Sequence, residues 1–198
     1  TQQSLSGKGD SISDEHYAKE AVGNVRDDWT KNGYNDEEWK SAMEPMKILG
    51  RVKSQEDAIR ELQRSVRGEP STIIPIFSQT TRVATQYGHL EYVLVHFKNT
   101  VDANEVAARL KGYSLSPRLT TLPTTPSSLF VVQENMPEPK QLARLPSGME
   151  IIVGDIKQYT PQKVSFWTLS HNLRRGATWA GRQGLELFLQ QYQGYFST

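Results

Sequence analysis

The sequence predicts an α+β fold: a mixed, largely antiparallel sheet with helices packed on one face. Two observations carry this. From Ser71 onward, β-branched and alternating stretches recur (STIIPIF, HLEYVLVHF, SLFVVQE, MEIIVGDI, KVSFWTLS), the pattern of half-buried strands. Helical patterns interrupt them only once, at DANEVAARLKG, before a last helix closes the chain. The regular strand-helix-strand alternation of a parallel doubly wound sheet is missing.

Taken in order, residues 1–34 are polar and turn-rich, with ISDEHYAKEAV as a short helix. NDEEWKSAMEPMKIL follows, with Asn35 and Glu38 in a variant of the capping box and Trp39, Met43 and Met46 at helical spacing. Pro45 is expected to kink or end that helix, because it removes a backbone donor and crowds the preceding turn. SQEDAIRELQRSVRG is the cleanest helix: Ser54 and Asp57 cap it, Ile59, Leu62 and Val66 form one narrow stripe, and Gly68 closes it. Its remaining positions are polar, which marks a surface helix. In DANEVAARLKG, Val106 and Leu110 point inward. YSLSPRLTTLPTTPSS, rich in Pro, Ser and Thr, reads as a loop or linker. The terminal helix is expected near residues 171–193, starting at Ser170 or Asn172. Leu185, Leu187, Phe188 and Leu189 crowd its second half and need cover.

Composition narrows the function classes. The 198 residues suffice for one good core. The 23 basic and 22 acidic residues are spread along the chain, which gives no electrostatic footprint for nucleic acid or an anionic membrane. No apolar run is long enough to span a bilayer, and no signal-peptide pattern opens the chain. An intracellular soluble protein, of the cytoplasm or an organelle matrix, is expected. The absence of cysteine excludes disulfides, thiolate metal sites and a cysteine nucleophile within these residues. His16, His89, His96 and His171 stand at no metal-ligand spacing, so no metal site is expected. A Ser-His-Asp triad stays open, since its members need not be neighbours, but no nucleophile-elbow pattern supports it. No dinucleotide fingerprint or phosphate loop is present.

Several stretches, in order from end to end, resemble aspartate-semialdehyde dehydrogenase, specifically its second, dimerisation domain. TQQSLSGKGD looks like the family's Thr-Tyr-Gln-x-x-Ser-Gly-x-Gly loop. GYNDEEWKSAMEPMKIL is similar to its Gly-Tyr-Thr-x-Glu-Glu-x-Lys segment, and HLEYVLVHFKNTVDANEVAARLKG to its long strand and following helix. MEIIVGDI resembles its Val-Gly-Arg-Ile strand, MPEPK the proline-rich approach to that strand, and SHNLRRGA the start of its last helix. The resemblance implies one domain over 1–198, with a surface helical insertion near 54–67 and the terminal helix near 171–193.

The family's chemistry is the reversible, NADP-dependent conversion of an acyl phosphate to an aldehyde through a thioester. The cysteine ends a Rossmann-type nucleotide domain that these residues do not contain. A histidine is the acid/base, an arginine grips the substrate carboxylate and a glutamine orients the intermediate. By resemblance, Gln3 takes the glutamine position, Glu37 and Lys40 match substrate- and phosphate-binding residues, and Ser6, Gly7, Asn172 and Gln183 fall where the cofactor side of the site is built. The family's Arg-Val-Pro-Val-x-x-Gly-His strand, anchored on Pro75, puts Ile73 at the arginine and Thr80 at the histidine. Isoleucine offers no donor to a carboxylate, and threonine does not titrate near neutral pH. Arg82 would replace the arginine only if it pointed the same way on a twisted strand. Asp155 reverses the charge of the family's Val-Gly-Arg strand, and Ala180 stands where many members have asparagine.

The expectation is therefore a catalytically inactive structural or interaction module, without a cofactor of its own, acting as a homodimer or as a subunit of a larger assembly. The alternative is the C-terminal half of an NADP-dependent dehydrogenase that reductively dephosphorylates aspartyl phosphate, with its nucleotide domain and cysteine outside this chain. An acyl hydrolase on the same domain finds no residues to support it.

Overall fold

The computed structural model describes residues 2–4, 36–49, 54–67, 69, 71, 73–83, 85 and 87–192. The helix expected at residues 12–22 and the closing glycine at 68 lie outside them. The chain divides into two compact units, one of Ser11–Arg82 with Thr1, the other of Gln2–Asp10 with Val83–Thr198.

The first unit contains α1 (Asp36–Ile48) and α2 (Gln55–Val66), which lie against each other. Met46 and Ile73 are its buried apolar side chains among those described. Of the two outcomes expected at Pro45, an end is not seen: α1 continues past it by three residues. The proline forfeits one donor near the helix end, while its carbonyl still accepts from Leu49 N at 2.9 Å. Ser54 caps α2 as expected, its Oγ accepting from Asp57 N at 3.2 Å. Among the described residues, the predicted strand at STIIPIF does not form. Ile74 and Phe77 are instead 69% and 65% exposed, and the strand described in this region is β2 (Thr81–Val83). A β-branched run fits a pleated surface, but Pro75 has no ladder donor to offer a neighbouring strand.

The second unit holds the sheet of β1 (Gln2–Ser4), β3 (His89–His96), β4 (Phe130–Val132), β5 (Ile151–Thr160) and β6 (Lys163–Ser170). The strand order is β2-β1-β3-β6-β5-β4. β1–β3, β3–β6 and β5–β6 are antiparallel, and β4–β5 is parallel, so the sheet is mixed and largely antiparallel, as predicted. Leu90, Leu169 and Ile152 stand in register on three neighbouring strands. With Leu142 they make a buried cluster, on which Leu145 and Trp167 pack.

α3 (Ala103–Lys111) follows β3 and contacts β4 and β5. Asp102 caps it, accepting from Asn104 N at 2.6 Å and Glu105 N at 3.3 Å. The stretch read as a loop or linker is no free linker: it contains a single helical turn, α4 (Pro117–Thr120), and buries Leu122 and Thr124. The last helix starts later than predicted. A π-helical turn occupies Arg174–Thr178, and α5 runs over Trp179–Gln191. Polar bonds fasten α5 to the threonine-rich stretch. Thr124 N and Oγ1 donate to Glu186 Oε2 at 3.0 and 2.6 Å, Gln183 Nε2 donates to Thr125 Oγ1 at 2.7 Å, and Gln190 Nε2 donates to Thr121 Oγ1 at 2.6 Å. Leu185, Phe188 and Leu189 remain exposed, and Leu187 is half-buried.

Candidate functional site

The two faces of a strand alternate, so the residues beside the core row define the opposite face. That neighbouring row runs Gln3–His89–Ser170–Ile151 in backbone register across β1, β3, β6 and β5. Two residues along, Glu91 pairs with Thr168, and Thr168 Oγ1 lies 3.5 Å from Glu91 Oε2. This face of β3 and β6 therefore starts with His89, Glu91, Thr168 and Ser170, a polar strip at the sheet end where the chain also turns into Ser-His-Asn. His89 and Ser170 are half-buried.

The chain enters β3 through Gly88, whose φ is +117°, a conformation that favours glycine. A Cβ there would stand 3.1 Å from Leu142 Cδ1 and 3.2 Å from Leu169 Cδ1, so the glycine also fits tightly over the core. Gly88 N donates to Asn172 Oδ1 at 3.0 Å. The Tyr87 and His171 rings lie 5.2 Å apart. His171 Nδ1 accepts from Leu173 N and Arg174 N at 3.3 and 3.4 Å. Burial, with the Arg174 charge second, holds the imidazole below its ordinary pKa, which favours the neutral ring. Behind this turn Glu150 is buried and accepts from Ser147 N at 3.2 Å. Burial lowers the pKa of Arg175, against the opposing pull of Glu150.

The predicted site residues fall in several places. Gln3 lies on β1 opposite His89. Ser6 and Gly7 lie outside the described residues. Glu37 and Lys40 sit one turn apart on α1, with Lys40 exposed. Ile73 is 7% exposed, a core position. Thr80 N donates to Glu38 Oε1 at 3.0 Å, tying the 73–80 segment to α1. Gln183 bonds Thr125, and Asn172 bonds Gly88, so Gln183 Nε2 and Asn172 Oδ1, at the two positions assigned to the cofactor side, are both engaged in the fold. Asp155 takes φ +54° and its Oδ2 accepts from Lys157 Nζ at 2.8 Å.

Sequence reasoning gave no role to His89 and made Arg82 only a substitute. The signal was a Gly-His dipeptide directly before the most regular alternating strand, with Arg-Val six residues upstream of it. Among the described residues, no group of three or more His, Asp or Glu could hold a metal ion, and no helix is long and apolar enough to cross a membrane.

Comparison with known proteins agrees with the sheet. Residues 1–175 match the family model for the semialdehyde dehydrogenase dimerisation domain. The malonyl CoA reductase (NADP) of Metallosphaera sedula is 31% identical over 137 residues, 67% of this chain and 38% of that protein. The aspartate-semialdehyde dehydrogenase of Aspergillus fumigatus is 27% identical over 166 residues, 80% of this chain and 43% of that protein. The crystal structure of the Candida albicans aspartate-semialdehyde dehydrogenase with NADP superposes with a TM-score of 0.61 at 25% identity, covering 79% of this chain and 43% of the other. That of aspartate-semialdehyde dehydrogenase II from Vibrio cholerae gives 0.57 at 22%, over 82% and 39%. The chain thus spans about two fifths of the length of the relatives it matches. With the family model covering most of its length, the chain belongs to the semialdehyde dehydrogenase family, as its dimerisation domain.

Proposed function

We propose that this chain is the substrate-binding and dimerising part of an active NADP-dependent semialdehyde dehydrogenase, with His89 and Gln3 in its site and Arg82 at the arginine position of the family motif. The observation that carries the reading is the register of Gln3, His89 and Ser170 across three adjacent strands. In that register Gln3 pairs with His89, which follows Gly88, and this supports the reading. The motif Arg-Val-Pro-Val-x-x-Gly-His then spans Arg82 to His89, with Arg82-Val83 in β2, Gly88-His89 at the mouth of β3, and Ala84 and Thr85 replacing Pro-Val. This register keeps the arginine, the glycine and the histidine, whereas the register anchored on Pro75 requires strand structure where none forms and places Ile73 in the core.

In this reading the Arg82 guanidinium binds the substrate carboxylate through two parallel hydrogen bonds. The His89 imidazole moves the proton at the reacting carbonyl, a task suited to a group that titrates near neutrality. The Gln3 amide orients the acyl group. NADP(H), when bound, would give the hydride in the reductive direction and take it in the oxidative one. Asn172 and Gln183 fit it poorly as ligands, because Asn172 Oδ1 and Gln183 Nε2 are spent on Gly88 and Thr125. Two copies assemble as a homodimer, the arrangement that the family model's description supports.

The test is NADPH formation by the native-length protein, offered aspartate semialdehyde with phosphate or malonate semialdehyde with CoA. Turnover with either, reduced at least ~100-fold in His89→Gln and shifted to a higher KM in Arg82→Ala, is the expected result. No turnover with either substrate, or a His89→Gln variant at the wild-type rate, overturns the reading in favour of an inactive module.

A further inference from the structure

The turn after β6 does more than connect it to α5. Ser170 pairs with His89, and the next residues reach across to the two residues that precede His89. Tyr87 has its ring against His171, and Gly88 has its N–H on Asn172 Oδ1. The turn is itself held. Arg174 Nη1 donates to Ser147 O at 3.0 Å, and its guanidinium lies 5.2 Å from the centre of the Trp179 ring. Its stem fills the space over Gly148, where a Cβ would stand 2.5 Å from Arg174 Cδ.

Gly88 gives the chain no direction of its own, since glycine reaches φ values on both sides of zero with similar ease. Some outside contact must select φ +117°, and Asn172 provides the hydrogen bond at that peptide. We infer that Asn172 is a positioning residue for His89: it fixes the Gly88 peptide, and through it the direction in which His89 leaves the backbone. This rests on the proposed function, in which His89 handles the proton. Proton transfer tolerates little misplacement, and an error of about 1 Å can cost ~100-fold in rate.

The experiment compares wild type, Asn172→Ala, Asn172→Asp and His89→Gln in the native-length protein, measuring kcat and KM for both substrate and NADP. Asn172→Ala is expected to lower kcat by about 10- to 100-fold while leaving both KM values within ~3-fold. Asn172→Asp keeps an oxygen acceptor for Gly88 N–H and should recover kcat to within a few-fold of wild type. Wild-type kcat in Asn172→Ala overturns the inference, as does a loss confined to KM for NADP, which would put Asn172 on the nucleotide. Equal impairment of the Ala and Asp variants also overturns it. If His89→Gln retains turnover, the functional reading itself has failed, whatever Asn172 does. Should Asn172→Ala not fold, the Asp variant and amide hydrogen exchange of wild-type Gly88 still decide: exchange at the rate of an unprotected peptide counts against the clamp.

Discussion

Among the described glycines, Gly154 on β5 has the least room. A Cβ at this position would stand 2.0 Å from Asn135 O and 3.0 Å from Gln133 Cγ. The obstructing carbonyl belongs to backbone that is fastened on both sides: Gln133 N donates to Val153 O at 2.9 Å, and Asp155 N donates to Glu134 O at 3.0 Å. Asn135 O also accepts from Gln133 Nε2 at 2.8 Å. Gly154→Ala must drive this carbonyl out to the 3.4 Å of ordinary contact, which breaks or stretches both backbone bonds. Each is worth about 1 kcal/mol net, and overpacking adds roughly 1–3 kcal/mol. A loss of about 3–5 kcal/mol is expected, or roughly 6–20 °C in Tm for a chain of this size. Urea and thermal unfolding followed by far-ultraviolet circular dichroism measure it. A variant within about 0.5 kcal/mol of wild type would refute the argument, since it would mean that the 133–135 backbone yields freely.

Two further changes probe how the helices are held. Glu186→Gln should cost about 1–2 kcal/mol in urea unfolding, because Oε2 accepts both Thr124 bonds and Oε1 accepts from Arg182 Nε at 2.9 Å. Burial alone would raise the pKa of Glu186, but the Thr124 hydroxyl and amide, together with Arg182, outweigh it and hold the carboxyl below its ordinary 4.5. The corresponding stability is therefore present above pH 4.5 and is lost as the pH falls from there through the lower folded value. Glu186→Gln should flatten that acid limb, and an unchanged limb would contradict the assignment. Asp102→Ala removes the cap of α3 and should cost about 1 kcal/mol, read as a lower urea midpoint at constant slope.

Features set by local chemistry were legible in the sequence. KVSFWTLS is β6 to the residue, because its alternation and flanking turns are local signals. Asp102 announced α3 because an N-cap acts on amides two and three residues away. Features decided by distant partners were not legible. Ser71–Phe77 has the composition of a strand, yet strand formation needs a neighbour's donors and acceptors, and no residue in the run specifies one. The choice of anchor decides the proposed site as well. Anchored on the proline, the family motif falls on a buried Ile73 and on Thr80, whose N–H serves α1; the register proposed above lies nine residues later. What favours the later register is the pairing of His89 with Gln3 and Ser170, which nothing in the dipeptide itself announces. The π-helical turn at Arg174–Thr178 had no composition cue either; the contacts of Arg174 within it reach Ser147 and Trp179.

Stability and the proposed chemistry are coupled through one register. Leu90, Leu169 and Ile152 pair across β3, β6 and β5 and bury together under Leu142. His89, Ser170 and Ile151 are their immediate neighbours in sequence and pair in the same register. A strand's side chains alternate between faces, so a one-residue slip of β3 against β6 would carry Leu90 out of the core and His89 into it. The apolar row forbids that slip at the cost of several buried leucine-sized side chains, each worth about 1.5–3 kcal/mol. The row led by His89 and Ser170 inherits its alignment from the core row beside it. On this argument the place to look for loss of activity at a distance is the core row, where a substitution that loosens the β3–β6 register would misplace His89 before it unfolds the domain.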